Sequence, residues 1–275
     1  MKLLRSIRMQ ATTAILLVGA LAILGLPAAA APVAMLLGFS SADFEILDPA
    51  NSNVIGHARY AVSKEGDGIA LHGDDRYTSG QYDFEIERFD TRAGTLPVLT
   101  AADHYFFLAN GAPEFQTNFD VKSGLATCID FRRQPPLTEN TQLKVPSDIW
   151  MGASVMVPIQ EFLRGGGSGT LQTHVFSCAP GPKIFAVQVS ITQMQAHSPL
   201  SRPGVVEVDF KPDFGWLNLI AAPFVPHLNA WFDPTHDWDF VGAALARFYQ
   251  GPNILLARTT MPAVSADAVQ QAPPR

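Results

Sequence analysis

The densest group of side chains able to hold a metal or move a proton is Asp233, His236, Asp237 and Asp239, gathered around Trp238. A metal site needs nitrogen and oxygen donors that converge from fixed positions. In an extended segment His236 and Trp238 point one way and Asp237 and Asp239 the other, which scatters those donors. Asp233-Pro234 and Thr235-His236-Asp237 are also ordinary turn material, so the segment reads first as a loop and second as a metal or acid/base site. His72-Gly73-Asp74-Asp75-Arg76 is the next group. Paired carboxylates act as acid and base in glycoside cleavage. Neighbours in a strand face opposite sides, however, and a turn with Arg76 as counter-ion accounts for this stretch. Asp103-His104 sets a carboxylate beside an imidazole, as any histidine at a strand edge does. Ser123, Ser154 and Ser168 do not sit in a Gly-x-Ser-x-Gly elbow; the nearest match, Gly167-Ser168-Gly169, has the wrong spacing. Gly165 to Gly169 is no phosphate loop either, because it follows a predicted helix and no Gly-Lys-Ser/Thr comes after it. No catalytic residue, metal or cofactor is assigned.

Cys128 and Cys178 are the two cysteines. In an oxidising compartment an even count suggests one disulfide. A cysteine nucleophile with a histidine partner and two buried free thiols are the alternatives. Aromatic residues are the other chemical signal: 18 phenylalanines, with Phe106-Phe107, Phe214-Gly215-Trp216 and Trp231-Phe232 in tight groups. The plain reading is a sheet core. The sharper one is a groove or cavity for an acyl chain or other apolar ligand. Consecutive Phe106 and Phe107 put one ring on each face of a strand, and a sheet apolar on both faces needs a helix, a partner or a ligand to cover the second. The residues expected to touch such a ligand are Phe106, Phe107, Trp150, Phe162, Trp216 and Trp231.

The elements that must position these groups read as mainly β. Turn residues punctuate short apolar runs every eight to twelve residues, which favours antiparallel sheet. In Gln81–Phe89, Tyr82, Phe84 and Ile86 alternate with Asp83, Glu85 and Glu87, predicting a strand with its apolar face buried and its acidic face wet. Ala58–Ser63 and Ile69–His72 flank an Asp-Gly hairpin signal, His104–Ala109 and Glu114–Asp120 flank Asn110-Gly111, and Asp120 to Gly124 turns the chain into Thr127–Phe131. Gln134-Pro135-Pro136 breaks this meander. Asp148 to Arg164 then predicts a helix capped by Ser147, with Met151, Val155, Ile159 and Phe162 on one face and a kink or restart at Pro158. Strands resume at Thr170–Ser177, Lys183–Thr192 and Val205–Phe210, where Glu207 and Asp209 face away from the apolar side. Pro223 and Pro226 argue against a central strand in their segment. Val241–Tyr249 fits helix or strand, and Asn253–Arg258 a final strand.

The ends differ from the rest. Lys2, Arg5 and Arg8 precede an uncharged run from Ala14 to Leu26, and Ala28 and Ala30 supply an A-x-A cleavage pattern: residues 1–30 read as a secretory leader, not a membrane anchor. Residues 31–260 follow as a single β-rich domain, and residues 261–275 as a disordered tail. The leader takes three of the 19 basic residues, leaving 16 against 25 acidic ones, a net charge of −9. That balance argues against a nucleic-acid partner, which needs clustered Lys and Arg, and against anionic lipid headgroups. The expected location is periplasmic or secreted, with no membrane span after cleavage.

The order of these features resembles an uncharacterised family of bacterial envelope proteins. The likeness rests on Pro146-Ser147-Asp148 leading through Trp150-Met151-Gly152 to Phe162-Leu163, and on Gly251-Pro252-Asn253-Ile254-Leu255 shortly after Trp231. That family usually has Asn-Gly where this chain has Met151-Gly152. The resemblance implies a sheet wrapped on a helix, as in periplasmic lipoprotein carriers; it implies no reaction and assigns no functional residue. The expected fold is therefore a curved antiparallel sheet, half-barrel-like, around one central helix. The expected function is an exported, non-enzymatic protein binding an apolar or lipidic ligand or an envelope partner protein. The alternative is a secreted hydrolase with a carboxylate/His site.

Overall fold

The computed structural model describes residues 40–91, 96–178, 181–192, 200–201, 204–213, 228–248 and 251–259. The leader, the tail and Trp216 lie outside the described residues.

The chain up to Gln142 is a meander. It comprises β1 (Ser41–Leu47), β2 (Val54–Glu65), β3 (Gly68–Tyr77), β4 (Tyr82–Asp90), β5 (Val98–Phe107), β6 (Pro113–Asp120), β7 (Leu125–Asp130) and β8 (Leu137–Gln142). The turn signals act where their chemistry allows. Glu65 pairs with Gly68 around Gly66-Asp67, and Gly66 has φ 58°, a conformation that costs a glycine nothing. At the β5–β6 turn the Asn110 carboxamide accepts from Ala112 N at 3.0 Å.

A two-residue strand, β9 (Ile149–Trp150), leads into a 3-10 turn (Gly152–Val155) and the one described α-helix, α1 (Met156–Arg164). Ser147 does not cap this helix, because β9 intervenes. Near Pro158 the helical stretch restarts, passing from the 3-10 turn to α-helix at Met156. Pro158 is the third helical residue, where the missing N–H had no partner to lose. The antiparallel run then resumes with β10 (Leu171–Ser177), β11 (Lys183–Ile191), β12 (Val206–Asp213), β13 (Leu228–Asp233), β14 (Asp239–Ala246) and β15 (Asn253–Arg258). β13 begins after Pro226 and sits mid-sheet, so the prolines end before the strand instead of excluding it.

All of these strands form one sheet in the order β8-β7-β6-β5-β4-β3-β2-β1-β15-β14-β13-β12-β11-β10-β9. β1 joins the halves by pairing with β15, and only β9 and β10 run parallel. The two edges are adjacent in sequence: residues 143–148 carry the chain from β8 to β9. The sheet must therefore roll up. It does not close edge to edge. β9 lies against β5, and the Trp150 ring packs 6.3 Å from Phe89 on β4. A disulfide between Cys128 on β7 and Cys178 just after β10 fastens the overlap, with Cα atoms 5.9 Å apart.

The enclosed face carries the main core, including Phe44, Ile46, Leu71, Phe119, Ile159 and Leu163. A smaller cluster of Leu47, Leu200, Val205, Trp231 and Leu255 covers part of the opposite face. Glu207 faces this side, away from Val208 and Phe210 as expected, and is buried there. It accepts from Asn229 Nδ2 at 2.7 Å and Trp231 Nε1 at 3.2 Å.

The largest departure concerns β4. Its period of two holds, but the faces are inverted: Asp83 and Glu87 are buried on the enclosed side. Tyr82 stacks on Phe107 and Phe84 on Tyr105, each pair 4.6 Å apart, on the other face. Phe89 keeps the same parity and is buried on the enclosed side as well.

Candidate functional site

The rolled sheet and α1 enclose a cavity of about 740 Å³. Its walls are mostly apolar: Phe44, Phe106, Phe115, Phe210, Phe240 and Phe248 supply rings from both halves of the sheet. Met151, Met156 and Ile159 close it from the 3-10 turn and α1. Such a volume falls within the range of small-molecule pockets, and methionine side chains adapt to irregular apolar guests.

One wall is charged. The inverted β4 sends Asp83, Glu85 and Glu87 inward, β3 adds Asp75 and β5 adds His104. Two groupings follow. At one end, Arg247 just beyond β14 reaches across to β4 and β6. Its Nε donates to Asp83 Oδ2 at 2.8 Å and its Nη1 to Glu114 Oε2 at 2.9 Å. The guanidinium also lies 4.8 Å from the Tyr77 ring and 5.3 Å from the Phe248 ring. A planar fork of donors suits two carboxylates and ring faces together. Burial raises the Asp83 pKa, and Arg247 opposes that rise. The triad ties opposite walls at the end of the cavity where β3, β5 and β14 finish and β4 and β6 start.

Further along β4, Glu85 and Glu87 face His104 on β5. The three ligand atoms lie within 4.8 Å of one another. His104 Nε2 touches Glu85 Oε2 and stands 3.8 Å from Glu87 Oε1. Burial pushes the Glu87 carboxyl up to about 7. Burial works to lower the His104 pKa, but the Glu85 and Glu87 charges outweigh it and raise the imidazole to about 10. Asp75 is raised well above the carboxylate range by burial, then by Glu85 and Asp83. Gly152, with φ 53°, sits on top: a Cβ there would run into Glu85, Glu87 and His104.

The residues singled out from sequence fall on both sides of the sheet. Phe106 lines the cavity, 6.2 Å from Phe115 and 5.6 Å from Phe248. Phe107 stacks on Tyr82 on the far face, as alternation requires. Trp150 is buried under β4, and Phe162 packs on the core from α1. Trp231 belongs to the outer cluster.

Asp233, His236, Asp237 and Asp239 do not converge with Asp74 or Asp75. His236 pairs with Asp233 at 3.0 Å, Asp237 with Arg164 at 3.0 Å, and Asp239 with Arg258 at 2.9 Å. Asp74 takes Arg76 Nη2 at 2.9 Å outside, and Asp75 lines the cavity. Asp103 does not orient His104, since it faces away to Arg88 and Asn118, each at 2.8 Å.

Sequence reasoning missed Glu85, Glu87 and Arg247. Their one local trace was an acidic strand face directly opposite a histidine-bearing strand across a hairpin-length connection.

No protein-family model and no curated protein matches the chain. Among solved structures it is similar to a β-barrel-like protein of a domain of unknown function, DUF1849, from Brucella abortus, at 10% identity. The match covers 80% of this chain and 95% of that one, with a TM-score of 0.45.

Proposed function

We propose that this chain is an exported envelope protein that holds an apolar, lipid-like ligand in the cavity of its rolled sheet. The observation that carries the reading is the cavity itself: about 740 Å³, ringed by phenylalanines and closed by methionines of the 3-10 turn and α1. A filled sheet core needs no such space, since interiors normally pack to crystal-like density. Burying an acyl chain there removes apolar surface from water at roughly 25 cal/mol per Å². The leader-like first thirty residues support export, as does the Cys128–Cys178 disulfide, which suits an oxidising compartment. Among the described residues no helix is long and apolar enough to cross a membrane. The hydrolase alternative built on His236, Asp237 and Asp239 loses its motive, because those groups are splayed among separate partners.

Displacement of an environment-sensitive fluorescent acyl probe tests the reading. Wild type is expected to take up the probe in a saturable way and release it to long-chain lipids. Ala243→Phe, which projects a ring from β14 into the cavity, is expected to lose uptake while staying folded. Equal uptake by both proteins would place the probe elsewhere and sink the proposal.

A further inference from the structure

We propose that Glu85, Glu87 and His104 form a binding site for a divalent first-row transition-metal ion, with one coordination position open to the cavity. This goes beyond ligand carriage and does not depend on it.

Three observations support the assignment. First, the donors are of the right kind and come from rigid elements. Two carboxylates and one imidazole project from paired strands, with Glu85 directly opposite His104 in register. Imidazole nitrogen with carboxylate oxygen suits Zn²⁺, Mn²⁺ or Fe²⁺ better than the oxygen-loving Ca²⁺ or Mg²⁺. Three protein ligands with an open fourth position is the arrangement of catalytic zinc sites. Glu85 and His104 line the cavity, so the open position faces it.

Second, the one imidazole does not satisfy the buried carboxylate oxygens around it. Glu87 is fully buried, and neither of its carboxylate oxygens has a hydrogen-bond partner. Glu85 Oε1 is likewise buried without a hydrogen bond, while His104 Nε2 pairs with Glu85 Oε2. The Ser154 hydroxyl beside Glu87 donates to Met151 O at 2.7 Å. Buried charges are ordinarily paired, hydrogen-bonded or bound to a metal.

Third, the donor atoms of all three residues converge, lying within 4.8 Å of one another. His174 and His236 elsewhere meet carboxylates in hydrogen-bond geometry at 2.8 and 3.0 Å. His104 Nε2 instead faces two carboxylates at once, pairing with Glu85 Oε2 and standing 3.8 Å from Glu87 Oε1. Around a tetrahedral ion with bonds of about 2.0–2.2 Å, donors stand roughly 3.4 Å apart. The His104–Glu87 separation of 3.8 Å is close to that spacing. The glycine at 152 leaves the space over the three donors clear of a side chain.

The test uses the full chain stripped with a chelator. It is titrated with Zn²⁺ by calorimetry and with Co²⁺ by visible absorption. One equivalent is expected to bind, with a Co²⁺ spectrum of mixed nitrogen and oxygen coordination. Outer-shell changes at metal sites typically cost 10–100-fold in affinity, so loss of a direct ligand in E87Q or H104Q is expected to cost ~100-fold or more. E85Q is read in parallel, and far-UV circular dichroism checks each fold. H174A and H236A, at the exposed His–carboxylate pairs, are expected to bind like wild type. The proposal is overturned if wild type shows no saturable 1:1 site, if binding survives E87Q and H104Q, or if H174A or H236A abolishes it.

Discussion

Cys128 and Cys178 lie 5.9 Å apart at Cα although nearly the whole breadth of the sheet separates β7 from β10 in hydrogen-bonding order. The disulfide is thus a staple across an overlap that no strand pairing closes. Thr117 Oγ1, 3.2 Å from Cys178 Sγ, sits beside it on β6. The cavity owes its enclosure to this join together with the covering 3-10 turn and α1.

Removing the staple is expected to weaken the whole fold. A loop of 50-residue separation constrains the unfolded chain by about 4 kcal/mol in the chain-entropy picture. Cys128→Ser with Cys178→Ser is predicted to lower the unfolding free energy by an amount of that order, seen as a lower denaturant midpoint. Wild type in reductant should follow it. An unchanged midpoint would show that strand packing alone holds the overlap.

Arg247 predicts a different pattern. Its side chain is 2% exposed and pairs with both Asp83 and Glu114. Removing one partner of a buried ion pair typically costs about 3–5 kcal/mol, while neutralising the whole group is far milder. Arg247→Met is therefore expected to be strongly destabilised. Adding Asp83→Asn and Glu114→Gln should recover much of the loss. Urea unfolding of the single and triple variants reads this, and additive losses would contradict it.

Two glycines separate backbone strain from crowding. Gly66 and Gly152 have similar positive φ values, 58° and 53°. An added methyl meets nothing at Gly66 but collides with Glu85, Glu87 and His104 at Gly152. Gly66→Ala should cost about 1–2 kcal/mol, the left-handed penalty. Gly152→Ala should cost clearly more by thermal melting. Equal losses would mean that the Glu85–Glu87–His104 group yields freely.

Much of the architecture was legible, and the failures share a cause. Alternation along Tyr82 to Glu87 identifies a strand, and turn residues such as Gly66 and Gly111 place its neighbours. Alternation does not say which face turns inward. That choice depends on Arg247, which meets Asp83 only after the sheet rolls, on His104 opposite Glu85 across the β4–β5 ladder, and on Tyr105 and Phe107, which cover Phe84 and Tyr82 outside. β8 escaped notice because Leu137–Gln142 is an exposed, mostly polar edge with no apolar period. β1 escaped because Phe44 and Ile46 are too short a run to stand out. The aromatic signal did point to Phe106, but Trp231 is spent on the outer face with Glu207.

Native mass spectrometry of the protein purified from the cells that make it, with lipid extraction alongside, tests the central claim most directly. The account predicts a co-purifying apolar species at one per chain in wild type and its absence from Ala243→Phe. A wild-type protein that flies as a clean apo species and yields an empty extract would contradict it.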